Sequence, residues 1–221
     1  MSVWAVLAAA GSGERLGIDR PKAFARLGGR PLLATSLERL EASDWIEGIV
    51  IAAPPEWEEP ATLVAEEVGA SKVASAVTGG ATRAESVRTA VTEVPDEATV
   101  IVVHDAARPF LSDAVLARVL VPLGEGWEGA LPAVPLADTV KRVRGEEVLE
   151  TVDRDELVAA QTPQAFRADV LRTALGGDVA GATDCASLVE AANGRVKIVE
   201  GDPLLFKVTS ATDLTLAERL L

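Results

Sequence analysis

The sequence has very little of what covalent, redox and metal chemistry usually uses: one cysteine, one histidine, one methionine and no tyrosine in 221 residues. A lone Cys185 excludes a disulfide framework, a four-cysteine zinc site and a CxxC redox pair, and it suits a reducing cytoplasm. A lone His104 excludes a histidine-built metal cluster and leaves Ser-His or Cys-His nucleophile chemistry without support. There is no GxSxG elbow and no GK[ST], which removes the hydrolase elbow and the P-loop. No apolar run approaches the roughly 18 residues of a membrane span, and the start, Met1-Ser2-Val3-Trp4, carries no basic leader. Positive charge is also scarce, with 21 Lys and Arg against 34 Asp and Glu and a net charge of −13, so neither nucleic acid nor an anionic membrane is an expected partner.

What is present is enough apolar material, 48% of the chain, for one sizeable core. Short β-rich runs open the chain at 3–8 and return at 48–52, 72–77, 99–103 and 129–134. Helix-like stretches with apolar residues three to four apart lie between them at 31–40, 56–68, 83–91 and 112–120. This alternation predicts an α/β fold, a mostly parallel sheet with helices on both faces. The rhythm breaks at 139–152, where Val140, Val148 and Val152 stand among charges around Gly145, the pattern of an exposed two-stranded ribbon. Such a ribbon needs something to lie on, and a second subunit is the obvious candidate. Helices at 167–175 and 184–192, strands at 195–200 and 205–209, and a last helix at 211–221 complete a single domain, 1–221.

Four segments carry candidate chemistry. In Ala8-Ala9-Ala10-Gly11-Ser12-Gly13-Glu14-Arg15-Leu16-Gly17, the glycines at 11 and 13 let backbone N–H groups approach an anion, although Leu16 breaks the GxGxxG pattern. Arg15 and Lys22 add a cation pair on a segment that Gly17 and Pro21 keep out of a regular helix. At the end of the fourth strand, Asp105 suits a divalent cation or a ribose hydroxyl and Arg108 a phosphate. The bland alternative is an Asp-Arg pair closing a turn, and His104 beside them reads as structural. The third segment, Thr78 to Ser86, puts Gly79 and Gly80 before a helix N-terminus. The fourth is a scatter of polar residues, Thr162-Pro163-Gln164, Thr183-Asp184 and Lys207-Val208-Thr209, that no spacing rule singles out. Arg, Lys and backbone N–H groups, with Mg²⁺, form the set that phosphoryl or nucleotidyl transfer requires.

Taken in order, AAAGSGERLG with PKAF, GGATRAESV, VHDAARPF, PLADTVKR, TVDRDEL, QTPQAF, TDCASLVE and FKVTSATDL resembles the 2-C-methyl-D-erythritol 4-phosphate cytidylyltransferases of the non-mevalonate isoprenoid pathway. The resemblance implies a Rossmann-like nucleotidyltransferase fold, Mg²⁺ or another divalent cation, and a cytoplasmic homodimer joined through a β-arm at 137–156. It implies that Arg15 and Lys22 are catalytic cations and that Ala9, Ala10, Gly11, Ser12, Gly13, Gly79, Gly80, Ser86 and Ala106 bind CTP. Asp105, Arg108, Thr139, Thr162, Thr183 and Lys207 would face a polyol phosphate. Arg154 would complete the partner's site. The metal would be held by the CTP phosphates, with Asp105 as the candidate protein ligand. In two places the chain departs from the family pattern: Ala81 and Leu204 stand where relatives tend to carry an acidic residue. Ribitol 5-phosphate cytidylyl transfer is the alternative activity, and a CTP-binding regulatory protein the alternative of another class.

Overall fold

The computed structural model describes the backbone of residues 1–221 and every side chain except that of Arg15, so the role expected of the Arg15 side chain lies outside the described residues. The elements run β1 (Val3–Ala8), β2 (Arg26–Leu27), β3 (Arg30–Pro31), α1 (Leu32–Glu41), β4 (Gly48–Ala53), α2 (Glu58–Glu67), β5 (Val73–Thr78), α3 (Arg83–Val91) and β6 (Val100–Asp105). They continue with α4 (Asp113–Gly124), β7 (Gly129–Pro135), β8 (Val140–Arg144), β9 (Glu147–Val152), β10 (Val158–Ala160), β11 (Gln164–Arg167), α5 (Ala168–Leu175), α6 (Cys185–Ala191), β12 (Val196–Glu200) and α7 (Ala211–Glu218).

β1 is the central strand, pairing in parallel with β4 on one side and β6 on the other, and β5 extends the sheet beyond β4. β11 lies between β6 and β7 and runs antiparallel to both, β10 continues along the same edge of β7, and β12 closes the far side in parallel with β7. The strands of the sheet's centre are buried on both faces, and their alternating residues feed two separate cores. Val3, Ala5 and Leu7 of β1 point with Ile49 and Ile51 to the face covered by α1, α2 and α4. Val6, Val50 and Ile101 point to the face covered by α3, α5 and α6. Phe166 of β11 is fully buried and rests on Gly129, where a Cβ would meet its ring at 2.5 Å.

A third, smaller cluster matters more for function. Leu16, at the end of the glycine loop, packs with Leu27, Leu32, Val208 and Ala217, anchoring that loop to α7 and to the segment after β12. That segment corrects one expectation. Residues 205–209 form no strand; Pro203–Leu205 is a 3₁₀ turn, and the chain then passes the exit of β6, with Val208 N–H donating to the Ala107 carbonyl. Phe206 spends its apolar side chain on Phe110 in this third cluster.

β8 and β9 form a two-stranded sheet of their own, turning at Gly145, with Val143 opposite Val148. Both are 57% exposed, and Leu149 is exposed beside them. No helix among the described residues is long and apolar enough to cross a membrane.

Candidate active site

The C-terminal ends of β1 and β6 are adjacent, and the loops leaving them meet those leaving β5, where open parallel sheets place their ligands. A cavity of about 470 Å³ opens there, lined by Ala9, Ala10, Gly11, Ser12, Lys22, Gly80, Ser86, Asp105, Ala106 and Lys207, and also by Glu14, Ala81 and Arg83. A neighbouring cavity of about 300 Å³ shares Gly11, Ser12, Glu14 and Lys22 and adds Gly13 and Thr209. A third, of about 200 Å³, is lined by Arg83, Asp105, Arg108, Thr162, Thr183 and Lys207, with Gln161, Gln164 and Asp184. The fold therefore gathers residues from six distant stretches of chain around one cleft.

The glycine loop is closed by its own backbone. Lys22 N–H donates to the Gly11 carbonyl at 3.1 Å, and Gly13 turns the chain at φ +81° so closely against Lys22 that a Cβ would lie 2.9 Å from the Lys22 nitrogen. A side chain at position 13 would thus be excluded both by conformation and by contact. Gly79 is equally confined, between Ala10 and the Ser86 hydroxyl, with its N–H donating to the Ala53 carbonyl at 2.7 Å. Thr82 and Glu85 form a capping box at the start of α3, and Ser86 Oγ accepts from Gly80 N–H at 3.0 Å, so the Gly79–Gly80 turn and the helix start form one rigid piece.

Asp105 organises the other wall. Its Oδ1 accepts from Arg83 Nε at 2.9 Å and its Oδ2 from Lys207 Nζ at 2.7 Å. Burial alone would push this carboxyl up, but Arg83 and Lys207 hold it well below the usual carboxylate range. Arg83 also reaches Cys185 Sγ at 3.7 Å, while its Nη2 and the Arg108 Nε are buried with no hydrogen-bond partner among the described residues. Arg108 Nη1 donates to the Leu205 carbonyl, tying the exit of β6 to the 3₁₀ turn. Burial pushes the Cys185 thiol up to about 11, so it stays protonated and unreactive.

His104 is fully buried under the cleft. Asp105 N–H donates to Thr162 Oγ1, the Thr162 hydroxyl lies 3.2 Å from His104 Nδ1, and His104 Nε2 lies 3.1 Å from the Arg108 carbonyl. The chain is satisfied if the neutral ring donates from Nε2 and accepts at Nδ1. His104 is thus a pin that holds the β6 exit against Thr162. Burial lowers its pKa from 6.5 to about 4. The unfolded chain takes up this proton first, so stability is complete above about pH 6.5 and falls as the pH drops towards 4. The full loss across that window is about 3 kcal/mol. Urea unfolding of the parent and of His104→Gln from pH 7 to 4.5 checks this: the parent's midpoint should fall over this range, and the variant should lose that part of the slope. Parallel pH profiles would contradict it.

Arg83 and Thr209 are cleft residues that lie in two of the candidate segments but were given no role of their own by the sequence. Thr139 and Arg154 line none of these cavities. Thr139 is exposed at the foot of the ribbon, and Arg154, just past β9, donates from Nη1 to the Ala137 carbonyl. The residues present do not fit a metal site built by the protein. Both oxygens of Asp105 already carry a cation, and the described residues hold no cluster of three His, Cys, Asp or Glu side chains suited to a metal.

Comparison with known proteins turns this cleft into a family assignment. The sequence model of 2-C-methyl-D-erythritol 4-phosphate cytidylyltransferase, IspD, matches residues 3–221. The chain belongs to the IspD family. It is 44% identical over 221 residues to the 2-C-methyl-D-erythritol 4-phosphate cytidylyltransferase of Nocardia farcinica, covering all of this chain and 94% of that protein. The protein of the same name in Frankia casuarinae is 46% identical over 224 residues, covering 99% and 81%. Among solved structures, a 4-diphosphocytidyl-2C-methyl-D-erythritol synthase superposes with a TM-score of 0.83 at 34% identity, covering 99% of this chain and 98% of that one. The Thermus thermophilus IspD superposes with a TM-score of 0.78 at 33% identity, covering 100% and 98%. The α/β architecture with its mostly parallel sheet is thus the IspD fold.

Proposed function

We propose that this IspD family member transfers the cytidylyl group of CTP to 2-C-methyl-D-erythritol 4-phosphate, in isoprenoid precursor synthesis. A phosphate oxygen of the acceptor forms a bond to the α-phosphorus, the bond from that phosphorus to the bridging oxygen breaks, and pyrophosphate leaves. The observation that carries this reading is the convergence of the Gly11–Gly13 loop, Lys22 and the Asp105 cluster on one cleft. The attacking group is already an anion, so the reaction needs no strong base, and the buried, neutral His104 supplies none. What it needs is positive charge and N–H donors around the phosphorus. Lys22 stands between the two cavities that the glycine loop borders, where it would meet a triphosphate. Gly79, Gly80 and Ser86 would frame the base, and Ala9, Ala10 and Ala106 would leave room beside it. Arg108 and Lys207 would offer two cations and Thr183 a hydroxyl to a polyol phosphate, with Thr162, its hydroxyl bonded to Asp105 N–H and His104, in the wall beside them. The divalent cation, Mg²⁺ in this reading, would enter as part of the CTP complex, since in the free protein both oxygens of Asp105 are paired with Arg83 and Lys207. The reaction is tested by acceptor-dependent release of pyrophosphate from CTP.

The same reading makes the protein a cytoplasmic homodimer joined through the arm at 137–156. Its support is the ribbon, whose two strands pair only with each other among the described residues and which displays Val143, Val148 and Leu149. Arg154 at its base would complete the partner's acceptor site. Subunit mixing tests this. In a heterodimer of Lys22→Ala and Arg154→Ala chains, one site keeps both residues and the other loses both. Free exchange of two inactive homodimers should therefore restore about a quarter of the parent activity. A co-refolded mixture no more active than its components would contradict a shared site.

A further inference from the structure

Asp105 is offered more positive charge than it can use. Arg83 and Lys207 each take one of its oxygens, and Arg108 stands nearby, so one carboxylate faces three cations. The two that touch it are held very differently. Arg83 is the first residue of α3, fixed by the Thr82–Glu85 capping box, with its guanidinium bonded to Asp105 and in contact with Cys185. Its side chain is 21% exposed. Lys207 sits on a flexible four-carbon stem in a segment without regular structure and is 35% exposed; both residues border the 470 Å³ and the 200 Å³ cavities.

We infer that Arg83 is a positioning residue for acceptor binding: it is the standing counter-ion of Asp105, and by staying there it lets Lys207 leave Asp105 for the phosphate of the incoming acceptor. The inference rests on the cytidylyl-transfer reading above. Arg108 gives its Nη1 to the Leu205 carbonyl, and among the described residues only Arg83 and Lys207 are bonded to the carboxylate, so with Arg83 absent Lys207 would be the one cation bonded to buried Asp105 and would be held there. With Arg83 present, the exchange of Lys207 from carboxylate to phosphate leaves no charge unpaired. Arg83 need not touch the acceptor for this; it works through Asp105.

The test is steady-state kinetics of Arg83→Gln and Arg83→Lys with each substrate varied in turn. For Arg83→Gln, the KM for the acceptor should rise at least tenfold, while kcat and the KM for CTP stay within about threefold. Arg83→Lys, which keeps a counter-ion, should restore the acceptor KM to within about threefold of the parent. An unchanged acceptor KM in Arg83→Gln, or equal rises for both substrates, would overturn the inference. If Arg83→Gln does not fold, Arg83→Lys decides alone: near-parent kinetics agree with a counter-ion role, and a tenfold loss of acceptor affinity contradicts it. A parent protein that does not release pyrophosphate would sink the functional reading, whereas an active parent with an indifferent Arg83→Gln would sink only this one.

Discussion

Lys22→Ala is expected to lower kcat about 100-fold or more, the cost of removing a cation that acts on transition-state charge, roughly 3 kcal/mol. The backbone around Lys22 makes this a clean experiment. It is the Lys22 N–H, not the ammonium group, that closes the glycine loop on Gly11, and Gly13 packs against the Lys22 main chain. Alanine keeps both. The third core cluster holds the loop's far end through Leu16. The backbone frame of the loop is therefore kept while turnover collapses, and CTP should still bind, because the Gly79–Gly80 turn and Ser86 are untouched. Stopped-time product assays beside CTP titration would separate the two effects. Turnover within about threefold of the parent would remove Lys22 from the mechanism.

The sheet's parallel half was readable because each strand is a short, mostly apolar run ended by glycine, proline or a charge, and because α1 to α4 repeat at helical spacing between such runs. The antiparallel insert was not. β11 has four residues, too few to show a period, and β10 has three; their place beside β7 and β6 depends on pairing partners more than 20 residues away. The segment 205–209 had strand-like composition, but its side chains serve the cluster beneath the glycine loop, and composition carries no information about which partner a segment meets. The ribbon was legible from its valines set among charges. In the cleft, glycines and cations announced themselves by spacing. Arg83 did not, since an arginine at the start of a helix is ordinary until the fold brings Asp105, 22 positions later, to within 2.9 Å of it. Thr162 and Thr183 fell in segments that only the resemblance made meaningful, and the structure places both on the cavity that Arg108 borders.

Acceptor choice is the second large effect. Methylerythritol phosphate and ribitol 5-phosphate both present a phosphate and a row of hydroxyls, so the cations Arg108 and Lys207 do not tell them apart. In the proposed reading, discrimination would come from the 200 Å³ cavity, where Thr183 borders a wall made by Thr162, Gln161, Gln164 and Asp184, whose side chains are already hydrogen-bonded within the protein. A site whose buried polar groups are left unpaired by the wrong ligand rejects it by orders of magnitude, so the difference in kcat/KM should exceed about 100-fold. The central claim is most directly tested by pyrophosphate release from CTP and Mg²⁺ by the purified protein, run with methylerythritol phosphate, with ribitol 5-phosphate and with no acceptor. Release is expected with methylerythritol phosphate, and near-silence in the other two. Release with ribitol 5-phosphate alone, or CTP binding with no release in any arm, would contradict the claim.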